Sequence, residues 1–374
     1  MLKYNKYELA LSVILIVLGI TAFSPYYQPF FPIKLIFTFV FVLFSIGSLF
    51  RIEKKLISFF LPLTLYLAYS VSLILFKKLN LLDYLTAFIC FYYTLLLLFF
   101  PKKNLISVNF FNNFFRGLLI VFILRYSYHA MTIPMRPRLF MENNFELLFL
   151  SILLIGNISY SKKPNFLNLV MFSFVAISSG SRSGIAIYFF ILFACFFKRD
   201  FIKVKYIWIY TLIATGLYIS WTMILKRMPE GGLQEIDRVR FLFLFFEEFK
   251  AHDWWTYFIG TPIITPLSPE TCNALVFYKE LFSYRVDGSC YSVVFHSFIL
   301  RIIFDHGIIA LFFIFSLIQR VLALSDFPRR HIIAILGVLF LNSLSISSIN
   351  SIFSVFGLMI ILIVKPQRAE ENAK

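Results

Sequence analysis

The sequence predicts an all-α, polytopic membrane protein with about twelve transmembrane helices and one large outer loop that contains interfacial or re-entrant helices. Hydrophobic residues make up 60% of the chain, and its mean hydropathy is +0.83. Apolar stretches of membrane-spanning length recur along the whole sequence, and the longest polar stretch runs only from Lys226 to Cys290. Helices satisfy their own backbone hydrogen bonds in lipid, so helical spans are expected.

The predicted spans define one integral membrane domain over residues 1–374. A loop subdomain, 226–306, is inserted between spans nine and ten. The first apolar segment lacks a convincing cleavage site and is expected to be a retained span. The twelve predicted spans are 8–24, 32–50, 56–76, 81–100, 110–130, 145–160, 166–180, 183–197, 206–225, 307–324, 331–347 and 351–365.

The net charge of +16 is distributed as short basic clusters between the spans. Such clusters mark cytoplasmic connections, and they fit a chain whose N-terminus lies inside. Nucleic acid is therefore not an expected partner. Counting 291–304 as a full span would place Arg329 and Arg330 outside, so charge bias predicts a re-entrant or interfacial helix there.

Arginines within apolar sequence are the first candidates for a functional site. Arg182, in Ser181-Arg182-Ser183-Gly184, lies within a long apolar region, where a charge is costly and indicates function. Arg125, inside the predicted span 110–130, is a weaker candidate for an anion pocket. The loop that carries Arg138, Glu142 and Asn144 is interpreted as a donor or acceptor loop, with an interfacial salt-bridge cluster as the alternative.

A second arginine pair opens an amphipathic stretch in the large loop. Arg238 and Arg240 precede Phe241, Phe245 and Phe249, which recur every four residues. This spacing predicts a helix lying along the membrane surface. The two interpretations are an anchor helix with solvated arginines and an anion site.

Two cysteines, Cys272 and Cys290, lie outside the predicted spans, on the side expected to be oxidising. A disulfide between them is expected if the geometry allows it, and it would stabilise the loop by about 3 kcal/mol. Cys90 and Cys195 fall inside spans and are interpreted as small core residues.

His296 is the candidate for proton transfer, because imidazole titrates near neutral pH. If its segment is helical, Ser292 and His296 share one face. The alternative is a packing histidine on an apolar helix. The sequence contains no phosphate loop, no D-x-D pair for a metal and no H-E-x-x-H motif, so no metal or other cofactor is expected.

Three stretches, in this order, resemble the superfamily of O-antigen polymerases and O-antigen ligases of bacterial envelopes. They are Ser181-Arg182-Ser183-Gly184, the segment from Val239-Arg240-Phe241 to Gly260, and the segment from His296-Ser297-Phe298 to His306-Gly307-Ile308-Ile309. The plan of twelve spans with a large loop before the last three is also similar. The motifs cover about 130 residues of the 374, and the ordered set is more specific than any one of them.

The resemblance implies a bacterial inner-membrane glycosyltransferase that takes glycan from undecaprenyl diphosphate on the periplasmic face, without metal or nucleotide. Arg182 and Arg240 would hold the diphosphate, with Arg238 as the alternative in a shifted register, and His296 would contact or deprotonate the acceptor hydroxyl. Guanidinium groups suit this role because they bind phosphate through charge-assisted, often bidentate hydrogen bonds. The implied partners are the lipid-linked glycan, membrane lipid and a chain-length regulator protein.

Three functions remain open at this stage. A polymerase would extend a lipid-linked repeat unit at its non-reducing end, whereas a ligase would transfer the glycan to lipid A-core or protein. Ser297, where ligases often carry asparagine, and the loop with Glu142 and Asn144 favour the polymerase. A flippase for lipid-linked oligosaccharides would also use membrane arginines, although it would not need His296.

Overall fold

The computed structural model describes residues 5–24, 32–48, 52–132, 135–140, 142–161, 165–196, 237–284 and 288–365. These residues form fourteen α-helices joined by turns and short 3₁₀ helices. The helices are α1 Lys6–Ala22, α2 Ile33–Ile46, α3 Ile57–Lys77, α4 Leu81–Leu97, α5 Val108–Thr132, α6 Asn143–Tyr160, α7 Phe166–Ser178, α8 Arg182–Phe196, α9 Asp237–Phe249, α10 Thr256–Ile259, α11 Pro269–Ala274, α12 Phe298–Leu324, α13 Arg329–Ser343 and α14 Ile352–Leu362.

The described part of the chain is all-helical, as predicted, and contains no strand beyond one isolated bridge between Ile106 and Val364. Helices occupy eleven of the twelve predicted span positions, and the span at 206–225 lies outside the described residues. Among the described helices, three are long and apolar enough to cross a membrane: Lys54–Lys77, Val108–Thr132 and Phe298–Leu324. The count of twelve spans stays a prediction.

Helices α6 and α14 form the centre of the bundle. Nearly every side chain of α6 and every side chain of α14 is buried. A helix that is apolar on all sides is stable only when other helices or lipid surround it, and here α5, α7, α8 and α13 surround α6. Gly156 of α6 lets Ile361 of α14 approach closely, because a β-carbon at Gly156 would overlap the Ile361 side chain.

Polar side chains also join the helices. Asn157 of α6 donates to the Asn112 side chain of α5 at 2.7 Å, and Asn168 of α7 donates to Asn157 at 3.2 Å. Arg116 of α5 donates to Asn168 at 3.4 Å, which closes the network. Hydrogen bonds of this kind satisfy polar groups away from water and fix the lateral order of the helices.

The segment 237–284 and 288–297, called the loop region below, packs its own small core. Helix α9 buries Phe241, Phe245 and Phe249, the three phenylalanines whose spacing predicted the helix. They pack with Phe295, Phe304 and the cysteine pair. Cys272 and Cys290 form a disulfide. The loop region is therefore a compact unit seated on the start of α12.

Two glycines allow the backbone of the loop region to pack closely against the backbone of α12. Gly260, which follows α10, and Gly307, inside α12, both have positive φ, +84° and +79°. A β-carbon on Gly260 would lie 2.5 Å from the His306 nitrogen, and one on Gly307 would overlap the Phe258 carbonyl. The chain breaks its helical geometry at Gly307, which divides α12 near the boundary between the predicted re-entrant helix and the predicted span.

We expect Gly307→Ala to destabilise the protein. A non-glycine residue at this φ costs about 1–3 kcal/mol, and the overlap with Phe258 adds a similar overpacking cost. Thermal unfolding in detergent should show a clear loss of stability. Gly19→Ala is the matched control, because a β-carbon on Gly19 has no atom within 4 Å and should leave the unfolding temperature unchanged or raise it. Equal stability of the two variants would contradict the close backbone contact between Gly307 and Phe258.

Candidate functional site

Helices α6 and α8 start side by side, at the end of the bundle where the loop region packs. Asn143 of α6 donates its amide to the Ser179 carbonyl at 2.9 Å. Asn144 accepts from the hydroxyls of Ser181 at 2.8 Å and Ser183 at 3.4 Å. These bonds hold the turn that presents Arg182, the first residue of α8, whose side chain is half-buried.

The sequence around Arg182 builds a helix start. The Ser181 hydroxyl accepts from the backbone nitrogen of Gly184 at 3.1 Å, and so caps α8. Gly184 allows α8 to approach α6, because a β-carbon there would overlap the Leu147 side chain. Two helix N-termini thus meet at Arg182. Their aligned peptide dipoles add partial positive charge where an arginine already favours an anion.

Glu142 connects this turn to the loop region. Its carboxylate accepts from the Asn144 amide at 2.8 Å. The same carboxylate acts electrostatically on Arg238 of α9 and on His296. Arg136 also lies within electrostatic reach of Arg238. The predicted donor or acceptor loop therefore lies between the Arg182 turn and the start of α9.

The start of α9 carries three charged residues, Asp237, Arg238 and Arg240. Arg240 is exposed and donates from Nη2 to the Ala274 carbonyl, inside the loop that the disulfide closes. The Asp237 carboxylate lies close enough to the Tyr278 hydroxyl to act on it electrostatically. Burial, followed by this carboxylate, raises the pKa of Tyr278 to about 12, so Tyr278 is a neutral hydrogen-bond donor near pH 7.

His296 packs against two aromatic rings of the loop region. Its ring centroid is 5.1 Å from that of Tyr278 and 5.7 Å from that of Phe241. Its Nε2 atom is buried, with no hydrogen-bond partner in the described part of the chain. Burial lowers the pKa of His296, Glu142 and Asp237 oppose this effect, and Arg301 adds to it. Near neutral pH the imidazole is uncharged and can accept a proton.

The prediction that Ser292 and His296 share one helical face is wrong. Residues Ser292–Phe295 form a 3₁₀ helix that ends at His296, whose φ of +55° is left-handed. Ser292 donates instead to the Asp305 carboxylate. The left-handed backbone at His296 turns the chain between the 3₁₀ helix and α12, so His296 lies in neither helix.

The backbone of this turn is held by the segment between α13 and α14. Ser347 donates to the His296 carbonyl at 3.3 Å and accepts from the buried Arg301 guanidinium at 3.3 Å. Ser297 donates to the Ser343 carbonyl at 2.9 Å, and the Phe298 nitrogen donates to the Ile346 carbonyl at 3.1 Å. These contacts offset the strain of a left-handed non-glycine residue, a pattern common at functional sites.

Arg125 has a structural environment that the sequence does not reveal. Its side chain is 1% exposed, and its guanidinium donates to the carbonyls of Ser24 and Arg138. It ties the end of α1 to the loop after α5. Arg138 thus takes part through its carbonyl, and Arg125 binds backbone carbonyls at the position where the sequence suggested an anion ligand.

The structure therefore brings together six of the predicted site residues at one end of the bundle. They are Arg182, Glu142, Asn144, Arg238, Arg240 and His296. Sequence reasoning missed Asp237, Tyr278 and Ser347. Asp237 could have been found from the sequence, because it is a charged residue next to Arg238. Ser347 could not, because it falls within the predicted span 331–347.

A cavity of about 60 Å³ opens beside the 3₁₀ helix that ends at His296. Carboxylates and tyrosines lie along its wall, including Asp83, Asp305, Tyr284 and Tyr291. Asp83 accepts from the Ser283 hydroxyl at 2.8 Å and from the Tyr284 nitrogen at 3.1 Å. Such a lining suits a ligand rich in hydroxyl groups, since carboxylates accept hydrogen bonds from them.

Comparison of the chain with models of known protein families found no match, and comparison with curated proteins found no significant relative.

We expect His296 to titrate below pH 6.5, because burial disfavours its charged form. Modification of the His296 peptide by diethyl pyrocarbonate, followed by mass spectrometry across pH, measures the midpoint. Glu142→Gln should move the midpoint lower still, since it removes a negative charge that favours the imidazolium. Glu270→Gln is the control and should leave it unchanged. A midpoint above 6.5 in the unsubstituted protein would contradict the described environment.

Proposed function

We propose that this protein is a metal-independent glycosyltransferase that polymerises lipid-linked repeat units, taking glycan from undecaprenyl diphosphate. The observation that carries the proposal is the convergence of four separate stretches of chain. Arg182, Glu142, Arg238 with Arg240, and His296 come from different elements and lie at the same end of the bundle, where α6 and α8 begin. A diphosphate leaving group and an acceptor hydroxyl need this combination of cations and a neutral imidazole.

The arginines would bind the donor substrate. Arg182 and Arg240, with Arg238 beside them, would bind the diphosphate and stabilise the negative charge that grows on it as the glycosidic bond breaks. The N-termini of α6 and α8 contribute in the same direction. An apolar bundle beside this site suits a substrate whose polyprenyl chain stays in the bilayer while its diphosphate reaches the surface.

His296 would act as the base toward the acceptor substrate. The acceptor hydroxyl attacks the anomeric carbon, the bond from that carbon to the diphosphate oxygen breaks, and its electron pair leaves with the diphosphate. The hydroxyl proton passes to a ring nitrogen of His296. A direct displacement of this kind inverts the anomeric carbon. Tyr278 and Phe241 hold the imidazole ring on two sides.

The acceptor in the proposal is the non-reducing end of a second lipid-linked repeat unit. The cavity beside the 3₁₀ helix that ends at His296, with Asp83, Asp305 and Tyr291 in its wall, would accept hydroxyl groups of that acceptor. Ser297 and the Glu142 loop favour polymerisation over transfer to lipid A-core or protein, by the resemblance described above. The proposal places the enzyme in a bacterial inner membrane, its site facing the periplasm, with a chain-length regulator as a partner.

The flippase alternative shares the arginines but gives no role to His296. A transporter needs cations to neutralise the diphosphate on its way across the membrane. It does not need a left-handed histidine held by Ser347 and enclosed by aromatic rings. This difference makes His296 the residue that separates the two functions.

The test is transfer in proteoliposomes that contain the full chain and synthetic undecaprenyl-diphosphate repeat units. A ladder of lengthened lipid-linked glycans is expected on a gel. His296→Ala should lower the rate about 10²–10⁴-fold, as loss of a general base does. Arg240→Ala should lower it about 10²–10³-fold, as loss of an oxyanion-stabilising donor does.

Lys250→Ala is the matched control, because Lys250 is an exposed cation of the loop region that pairs with Glu247. It should keep the full ladder. Transfer of label to added lipid A-core or protein without a ladder would identify a ligase. Movement of intact lipid-linked glycan across the membrane that survives His296→Ala would overturn the transferase proposal.

Ser347 provides a second test of the proposed reaction. Ser347→Ala removes the hydroxyl that supports the His296 carbonyl, a hydrogen bond whose net contribution is about 0.5–1.5 kcal/mol. We expect kcat to fall up to about tenfold with KM for the lipid donor unchanged. Ser347→Thr keeps the hydroxyl and should restore the rate. A rise in KM without a change in kcat would show that Ser347 does not act through His296.

A further inference from the structure

The loop region carries an apolar surface that no other described residue covers. At one end, Val276 and Phe277 are 57% and 95% exposed. At the other end, Trp254 is 75% exposed and Ile259 is 56% exposed. The two ends are called the phenylalanine tip and the tryptophan corner below. Large apolar side chains this exposed, in a compact unit, mark a surface of interaction.

Helix α9 also exposes apolar residues, between the charged residues at its start and the exposed pair Glu247 and Lys250 at its end. Its residues Leu242, Phe243 and Phe246 are 42%, 56% and 48% exposed. A helix that lay on a protein core with its other face in water would place polar residues there. Helix α9 therefore presents lipid-compatible side chains along the same exterior.

The tryptophan corner is continuous with the exterior of α12. The backbone crossing of Gly260 and Gly307 fixes α10 against α12, and Ile309 and Phe312, just beyond Gly307, are 60% and 67% exposed. These two residues belong to one of the helices long and apolar enough to cross a membrane. Exposed apolar side chains are thus found on that helix and at the tryptophan corner, which packs against it.

The phenylalanine tip adjoins the candidate site. Ala274, just before the tip, accepts the hydrogen bond from Arg240, and Tyr278, just after it, lies within electrostatic reach of Asp237 and Arg240. Tyr278 also contacts His296. Any surface that receives Phe277 therefore lies close to the arginine pair.

We propose that the phenylalanine tip, the exposed face of α9 and the tryptophan corner together insert into one leaflet of the lipid bilayer, and so hold the arginine–histidine cluster at the level of the phospholipid headgroups. Tryptophan favours this interfacial zone, and an amphipathic helix with aromatic residues lies in it. The insertion sets the depth of the cluster, and it does not rest on the proposed transferase activity.

The depth of Phe277 can be measured in the full chain. A nitroxide on Phe277→Cys, in phospholipid vesicles, should be relaxed more strongly by oxygen, which concentrates in lipid, than by a water-soluble nickel complex. The same label on Glu270→Cys, an exposed polar position of the loop region, should show the reverse. Cys90 and Cys195 are buried, and the labelled parent chain gives their background.

Two outcomes would overturn the proposal. A label at residue 277 that responds as the label at 270 does would place the tip in water. A label at 277 shielded from both reagents would mean that protein covers the tip, such as a second copy of the chain.

A second measurement avoids any change to the apolar surface. With Trp208→Phe and Trp221→Phe, fluorescence comes only from Trp254 and Trp255. Lipids brominated near the headgroup end of the acyl chain should quench this emission more than lipids brominated near the methyl end, and aqueous iodide should quench it weakly. Strong iodide quenching with no effect of brominated lipid would contradict insertion.

Discussion

The Asn144 side chain is the contact on which the candidate site depends. Its oxygen accepts from Ser181 and Ser183, and its nitrogen donates to Glu142. One buried amide therefore fixes the turn that presents Arg182 and the carboxylate that faces Arg238 and His296. Polar groups removed from water must find partners, and this requirement links stretches that are far apart in sequence.

The second constraint is the attachment of the loop region to the bundle. Gly260 and Gly307 let two backbones meet where no side chain fits, and the Cys272–Cys290 disulfide closes the part of the loop that receives Arg240. Because Ser297, the N-cap of α12, directly follows His296, the same attachment determines where the imidazole lies. The attachment of the loop region to α12 therefore positions both the loop region and His296.

The sequence predicted the helical class, the positions of the described helices, the amphipathic α9 and the candidate residues that come together. The candidate residues rest on charges in apolar sequence and on the family resemblance, whereas hydrophobic periodicity determines the helical features locally. It could not predict the left-handed turn at His296, which is held by bonds to Ser347 and to the residues around it. Nor could it show that carbonyls surround Arg125, since a lone arginine in an apolar span looks the same whether it binds a ligand or the backbone.

A cryo-electron microscopy map of the protein with undecaprenyl diphosphate bound in a lipid nanodisc would show directly whether the arginines bind the donor. This assignment predicts density for the two phosphates between Arg182 and the pair Arg238 and Arg240, with the His296 ring facing the end of the diphosphate that would carry the sugar. Diphosphate density elsewhere in the protein, or a bound state in which Arg182 and Arg240 do not face a common ligand, would contradict it.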